Sequence, residues 1–236
     1  MSTPDLQLRT LFVLNGEGRI LSTREPEPAS AAPAFTIIRS ASGCAWAVRA
    51  DVPDDLAAEL DRIAREEPPA VDLRGEPVHA DQYKALIGGH VSSGPAFTFP
   101  EQIAHPTEVV IIEGEHLLRQ NFRGWIPGEI EAGRSPVMSI LEDGFPVSIC
   151  FCARLADRSA EAGLETAEGF RGRGYGPRVT AAWALAIRAS GRIPLYSTSW
   201  TNSASLAVAR KLGLVAYASD WSLFDGDPGG ESEHAS

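Results

Sequence analysis

The stretch Gly169-Phe170-Arg171-Gly172-Arg173-Gly174-Tyr175-Gly176 constrains this chain more than any other. Gly163 to Ala167 reads as a strand running straight into it. Pro177 then suits the first turn of a helix whose apolar face is Val179, Ala182, Trp183, Ala186 and Ile187, and Gly191 suits its end. The unit is strand, glycine turn, helix. Alternate glycines let the backbone turn tightly with its N–H groups unshielded, so several donors and the positive end of the helix dipole converge on one point. Such a point binds anions. The dipole contributes about 0.3–1 kcal/mol at an exposed helix end and up to about 2 kcal/mol when partly buried. Charge-assisted bonds from the amides, Arg171 and Arg173 must add to it. A bare structural turn is the competing reading, and two arginines among the glycines weigh against it.

A pyrophosphate fits such a cradle. The Walker loop is excluded, because no Gly-Lys-Ser/Thr follows. The dinucleotide fingerprint needs Gly-x-Gly-x-x-Gly, whereas the spacing here is Gly172-x-Gly174-x-Gly176, so a nucleotide-dependent oxidoreductase is the weaker alternative.

Charge narrows the partners. The chain has 236 residues with 21 basic and 31 acidic side chains, a net charge of -10, and no Lys/Arg-rich block that would displace phosphate counterions from a nucleic acid. Apolar runs such as Ala181 to Ile187 fall far short of the roughly 20 residues that a membrane span needs, and the N-terminus has no charged-then-apolar leader. The expectation is a cytoplasmic protein with no nucleic-acid or membrane partner. Cys44, Cys150 and Cys152 read as reduced core thiols, and the five histidines lack metal-ligand spacing, so no metal is expected.

Elsewhere the elements are readable but chemically quiet. Thr10 to Ile20 reads as a hairpin around Asn15-Gly16-Glu17-Gly18, and Phe35 to Arg39 with Cys44 to Arg49 as two more strands. Asp54 to Glu67 has helical spacing through Leu56, Leu60 and Ile63 and stops at Pro68-Pro69. These pieces are expected to form a smaller α+β domain over residues 1–100. Gly88 to Pro100, with its glycines, serines and prolines, reads as a linker or a loop beside the substrate, with an ordinary surface connection as the plainer reading. Val109 to Ile112 is an apolar run, and Glu115 to Ile130 carries a helical pattern broken at Gly124 and Pro127. Val137 to Leu141 and Pro146 to Ala153 form a hairpin around Glu142-Asp143-Gly144. From Asp225 onward the acidic, small-residue tail is expected to be disordered.

Arg171-Gly172-Arg173-Gly174-Tyr175-Gly176 resembles the pyrophosphate loop of the GCN5-related N-acetyltransferase superfamily, Arg/Gln-x-x-Gly-x-Gly/Ala. A second element agrees. Ile193 to Trp200 is strand-like, Asn202-Ser203-Ala204-Ser205 opens a helix, and Lys211-Leu212-Gly213-Leu214 closes it in the order and spacing of that superfamily. The resemblance covers about Glu108 to Phe224, so the acetyltransferase domain is expected over 101–224 with the N-terminal part as an extension. It implies an α/β (α+β) fold, a mixed twisted sheet whose two central parallel strands splay apart. It further implies acetyl-CoA as co-substrate and transfer of its acetyl group to a primary amine of a small molecule or peptide, by a monomer or homodimer.

By that resemblance, the pantetheine arm would pair with the backbone around Leu164, Thr166 and Ala167, and the pyrophosphate would rest on Arg171, Gly172, Arg173, Gly174, Tyr175 and Gly176. Asn202 and Ser205 would lie near the thiol end, although Asn202 would equally serve as a helix cap. Acetyl transfer needs a neutral amine. An amine of pKa near 10.4 is about three units from neutrality at pH 7, roughly 4 kcal/mol, so a carboxylate relay is wanted. Glu165 is the nominee, with a salt-bridged or solvated strand carboxylate as the plain alternative. Backbone donors around Thr166, and its hydroxyl, are nominated for the oxyanion. Many superfamily members place a Tyr seven residues after the Asn to protonate the thiolate. Here that position is Ala209, which leaves Tyr196, Tyr217 or water, and keeps open a non-catalytic acyl-CoA-binding module.

Overall fold

The computed structural model describes residues 4–226. The acidic tail from Asp227 onward lies outside the described residues, while Asp225 is held by Arg49 at 2.5 Å. In chain order the elements are α1 (Pro4–Leu11), β1 (Phe12–Leu14), β2 (Ile20–Thr23), β3 (Phe35–Ser40), β4 (Gly43–Val48), α2 (Asp54–Arg65), α3 (Ala80–Ile87), β5 (His90–Thr98), β6 (Val110–Ile112), β7 (Val137–Glu142), β8 (Phe145–Leu155), β9 (Ser159–Thr166), α4 (Tyr175–Ala189), β10 (Ile193–Ser197), α5 (Ser203–Lys211) and β11 (Val215–Phe224). The α/β class expected from the sequence is the class observed: β1 and β2 form a two-stranded ribbon, and the other nine strands form one mixed sheet in the order β4-β3-β11-β5-β10-β9-β8-β7-β6. Among the described residues, β9 and β10 are the one pair of strands that run parallel, apart from a single parallel bridge between Ile20 and Arg49.

Residue 100 is not a sheet boundary. Strands β3, β4 and β5, from the expected N-terminal domain, continue the sheet of the later strands, because β11 pairs with β3 on one side and β5 on the other. Each half still has its own apolar cluster. Trp183, Val179 and Ile187 of α4 pack on Cys150, Cys152 and Ala160. Leu60 and Ile63 of α2 pack on Phe35, Ile37 and Trp221. These helices cover one face of the sheet. The other face carries α1 and the β1–β2 ribbon over Ile38, Ala96 and Ala218, and the segment 115–130 over Ile149 and Phe151. Trp183 is fully buried, so truncating it to Ala would cost about 3–5 kcal/mol. Among the described residues no helix is long and apolar enough to cross a membrane.

Two expectations are corrected. Gly88 to Pro100 is not a connection but contains β5, near the middle of the sheet. Gly94 is there for close approach, since a Cβ on it would lie 1.8 Å from the carbonyl oxygen of Thr198. Pro95 keeps the use of its own carbonyl, which accepts from the Thr198 amide at 3.3 Å. The helical pattern across Glu115 to Ile130 yields a single 3-10 turn at Glu115–Leu117 and then turns. The Glu115 carboxylate pins that stretch by accepting from the amides of Gly128 at 2.8 Å and Ile130 at 3.0 Å.

Candidate active site

The parallel pairing of β9 and β10 is short. It runs from Ser159 opposite Ile193 to Glu161 opposite Leu195 and stops there. Past that point β10 stays with β5, through Tyr196 opposite Phe97 and Ser197 opposite Ala96. Meanwhile β9 stays with β8 as far as Thr166 opposite Ser148. The strands therefore splay. The carbonyl of Arg158 points toward β10, where it accepts from Ile193. Backbone groups alternate along a strand, so the even-numbered residues Ala162, Leu164 and Thr166 turn their N–H and C=O groups toward the gap. Side chains alternate too. Ala160, Ala162 and Leu164 join the α4 cluster, which puts Glu161, Gly163 and Glu165 on the α1 face.

At the open end of the gap the chain enters the glycine turn. Gly172 has φ 79° and Gly174 φ 80°, a left-handed backbone that glycine adopts without a Cβ penalty, and the space a Cβ would enter at both is empty within 4 Å. Gly174 is the N-cap of α4, and no side chain caps that helix, so its first amides are left for an external acceptor. A Cβ on Gly176 would lie 3.4 Å from a methyl group of Leu164, so the first turn of α4 packs directly on the splayed strand. Arg171 and Arg173 are both exposed. Arg171 donates to the Thr166 carbonyl at 3.2 Å and Arg173 to the Gly169 carbonyl at 3.1 Å, with its guanidinium 4.8 Å from the Phe170 ring. The Tyr175 hydroxyl is spent on Glu142.

The other nominated residues separate into groups. Leu164 and Thr166 border the gap through their backbones, whereas the Ala167 amide is committed to the Val147 carbonyl at 2.9 Å and does not face it. Glu165 and Thr166 are on opposite faces, and the Thr166 hydroxyl lies 2.8 Å from that of Ser148. The two groups nominated for catalysis are thus not brought together as side chains. Asn202 caps α5, its Oδ1 accepting from the Ser205 amide at 3.0 Å. The Ser205 carbonyl accepts from the Tyr196 hydroxyl at 3.4 Å. Ala209 is buried in the α4 cluster.

Sequence reasoning passed over a buried polar chain on the α1 face beside the splay. Glu161 accepts from Nε2 of Gln7 at 2.8 Å and from Arg154 at 2.7 Å. Arg154 also pairs with Glu25, and the Tyr217 hydroxyl donates to Oε1 of Gln7 at 2.5 Å. Asp220 of β11 adjoins this set. Burial, and then the charge of Glu161, push its carboxyl up to about 7, against the pull of the Gly94 amide and Arg154. No local motif marks these residues, which come from five separate stretches of chain.

Residues 151–222, which hold the splayed strands and the glycine turn, match the FR47-like protein family model. The matched segment is the one whose glycine turn resembles that of the GCN5-related N-acetyltransferase superfamily. No curated protein matches the chain. Solved structures similar to it include a protein described as an acetyltransferase of the superfamily from Novosphingobium aromaticivorans, with 17% identity, 56% of this chain, 64% of that one and a TM-score of 0.48. An acetyltransferase from Colwellia psychrerythraea has 16% identity over 76% of each chain, with a TM-score of 0.48. A superfamily-like protein from Streptococcus suis has 16% identity over 81% of this chain and 84% of that one, with a TM-score of 0.47.

Proposed function

We propose that the chain is an acetyl-CoA-dependent N-acetyltransferase acting on a primary amine of a small molecule or peptide. The observation that carries this is the end of β9–β10 pairing at Glu161 and Leu195, immediately before a glycine turn that heads an uncapped helix. The gap offers the backbone of Leu164 and the amide of Thr166 to an amide-bearing arm, and the amides from Gly172 to Gly176 would hold a diphosphate. When bound, acetyl-CoA supplies the activated thioester that the amine attacks directly.

The chain's own groups define what remains. The Thr166 amide would face the thioester as a donor, while its carbonyl is occupied by Arg171. Glu165, on the α1 face, would take the amine's proton. Tyr196 is a poor acid for the thiolate. Burial pushes it up to about 12, so proton transfer to a thiolate of ordinary pKa near 8.5 runs uphill by roughly 5 kcal/mol. Tyr217 is raised as well, by burial and then by the charge of Glu161. With an ordinary pKa near 8.5, the thiolate would leave unprotonated, at a cost of about 2 kcal/mol near pH 7, and take its proton from bulk solvent afterwards.

A second reading, an acyl-CoA-binding module without turnover, draws on the buried Ala209, which leaves α5 without a hydroxyl at the position expected for one. Release of free CoA thiol from acetyl-CoA in the presence of a panel of primary amines tests the first reading. Amine-dependent release is expected. Binding without release would favour the module.

A further inference from the structure

The sheet has a cleft at the end away from the glycine turn. There β3 and β5 finish at Ser40 and Thr98, β10 and β11 begin at Ile193 and Val215, and α4 ends at Ala189. Gly191, with φ 82°, turns the chain from the helix into β10. The cleft between these ends has a volume of about 580 Å³, within the range of small-molecule sites. Pairing of β9 with β10 starts beside it, at Ser159 opposite Ile193, so it lies at the closed end of the splay. The length of α4 separates it from the cradle, roughly 20 Å for 15 residues.

Its walls are apolar and its charge is of one sign. Phe99, Ile193, Pro194 and Val215 line it together with Arg188 and Arg192, and no carboxylate does. Val215 is 57% exposed, an apolar side chain left open to the cleft. Arg188 is partly spent, with Nη1 donating to the Glu101 carbonyl at 2.8 Å and Nη2 to those of Phe99 at 3.1 Å and Pro100 at 2.8 Å. Arg192 is less committed. Its Nε donates to the Ala156 carbonyl at 3.1 Å and its Nη1 to the Ser190 hydroxyl at 3.3 Å, which leaves Nη2 without a partner among the described residues. Carbonyls and a hydroxyl satisfy N–H groups but do not neutralise charge, and neither guanidinium has an ion-pair partner among the described residues. Fastening of the neighbouring loops accounts for the bonds already made. It does not account for the spare donors of Arg192, nor for the apolar wall beside them.

We propose that this cleft binds a small monocarboxylate with an apolar body. The carboxylate sits on the guanidinium of Arg192, assisted by the charge of Arg188, and the body lies against Phe99 and Val215. A guanidinium matches the planar, two-oxygen geometry of a carboxylate, and the apolar walls reward a body that an inorganic anion lacks. The negative end of the α4 dipole works against an anion here, so the two guanidinium groups, and not the helix, must hold it. The site is separate from the proposed acyl-CoA groove and stands whether or not that reading does.

Calorimetry on the full chain tests this with three probes: 3-phenylpropionate, its uncharged amide, and inorganic phosphate. One phenylpropionate is expected per chain, with the amide and phosphate each at least tenfold weaker. Arg192→Gln should weaken phenylpropionate at least tenfold, and Arg192→Lys, which keeps the charge but not the fork, by less. Val215→Asp puts a like charge at an exposed position of the cleft, away from every residue assigned to the acyl-CoA groove. It should also weaken binding at least tenfold, and it decides the matter if Arg192→Gln fails to fold. Saturating CoA should leave the affinity within twofold. Absence of binding to wild type, unchanged affinity in Arg192→Gln or Val215→Asp, equal binding of the amide or of phosphate, or displacement by CoA overturns the assignment.

Discussion

Glu161 and Leu195 face each other at the last register position that β9 and β10 share. Beyond it, β10 follows β5 and β9 follows β8, so the gap exists because each strand has a better-paired antiparallel neighbour on its outer side. Glu161 also anchors the polar chain that fastens α1 to the sheet. One residue thus borders the proposed thioester groove and ties α1 to the sheet beside it.

Asp220 should make the protein less stable as pH rises. Its folded pKa, near 7, lies above the ordinary carboxyl value near 3.9, so the native state holds a proton that the unfolded chain has released. Its contribution to stability is complete below about pH 4 and is lost as pH rises through about 7, by at most roughly 4 kcal/mol. Urea melts of Asp220→Asn should therefore show a gain over wild type at pH 8 that shrinks toward pH 5. A variant less stable than wild type at both values would contradict this.

Gln7 bridges two buried groups, donating to Glu161 at 2.8 Å and accepting from Tyr217 at 2.5 Å. Gln7→Ala leaves both without that partner, and an unsatisfied buried group costs about 1–3 kcal/mol. A loss of about 2–4 kcal/mol is expected in urea unfolding. A loss below about 0.5 kcal/mol would show that α1 is not held by this bridge.

Gly174 has φ 80°, and a side chain there is strained even though the space is open, by roughly 1–2 kcal/mol. Gly174→Ala should lower stability by about that amount and weaken CoA binding at least tenfold, because the cradle amides turn away from the phosphate. Chemical denaturation and calorimetry on the same sample separate the two effects.

Asn202 caps α5 through Oδ1. Asn202→Ala should cost about 1 kcal/mol, and Asn202→Asp, which keeps the accepting oxygen, only a few tenths. If Asn202→Asp keeps its stability yet loses CoA affinity, the side chain has a ligand role beyond the cap.

Glu165→Gln should lower kcat most at acidic pH while CoA affinity stays within twofold, since Glu165 is on the α1 face and away from the glycine turn. A pH–rate profile unchanged from wild type would remove it from proton transfer.

The turn and its flanking elements were legible because each needs particular residues: glycine at the left-handed positions 172 and 174, proline in the first turn of α4, and Asn202 as a cap. β5 was illegible for a related reason. Gly94 and Pro95 carry the composition of a loop, but the glycine makes room for the Thr198 carbonyl and the proline sits in a strand. Nothing in the neighbourhood of either residue reveals that. Domain organisation was obscured in the same way, since the joining of β11 to β3 brings together residues almost two hundred positions apart. The polar chain of Gln7, Arg154, Glu161, Tyr217 and Asp220 is assembled by tertiary packing, and each member alone reads as an ordinary polar residue.

Amide hydrogen exchange with and without CoA tests the central claim most directly. The account predicts new protection at the Leu164 and Thr166 amides and across Gly172 to Gly176, with the Ala167 amide, already bonded to Val147, little changed. Protection confined to other segments, or no change in exchange at saturating CoA, would contradict it.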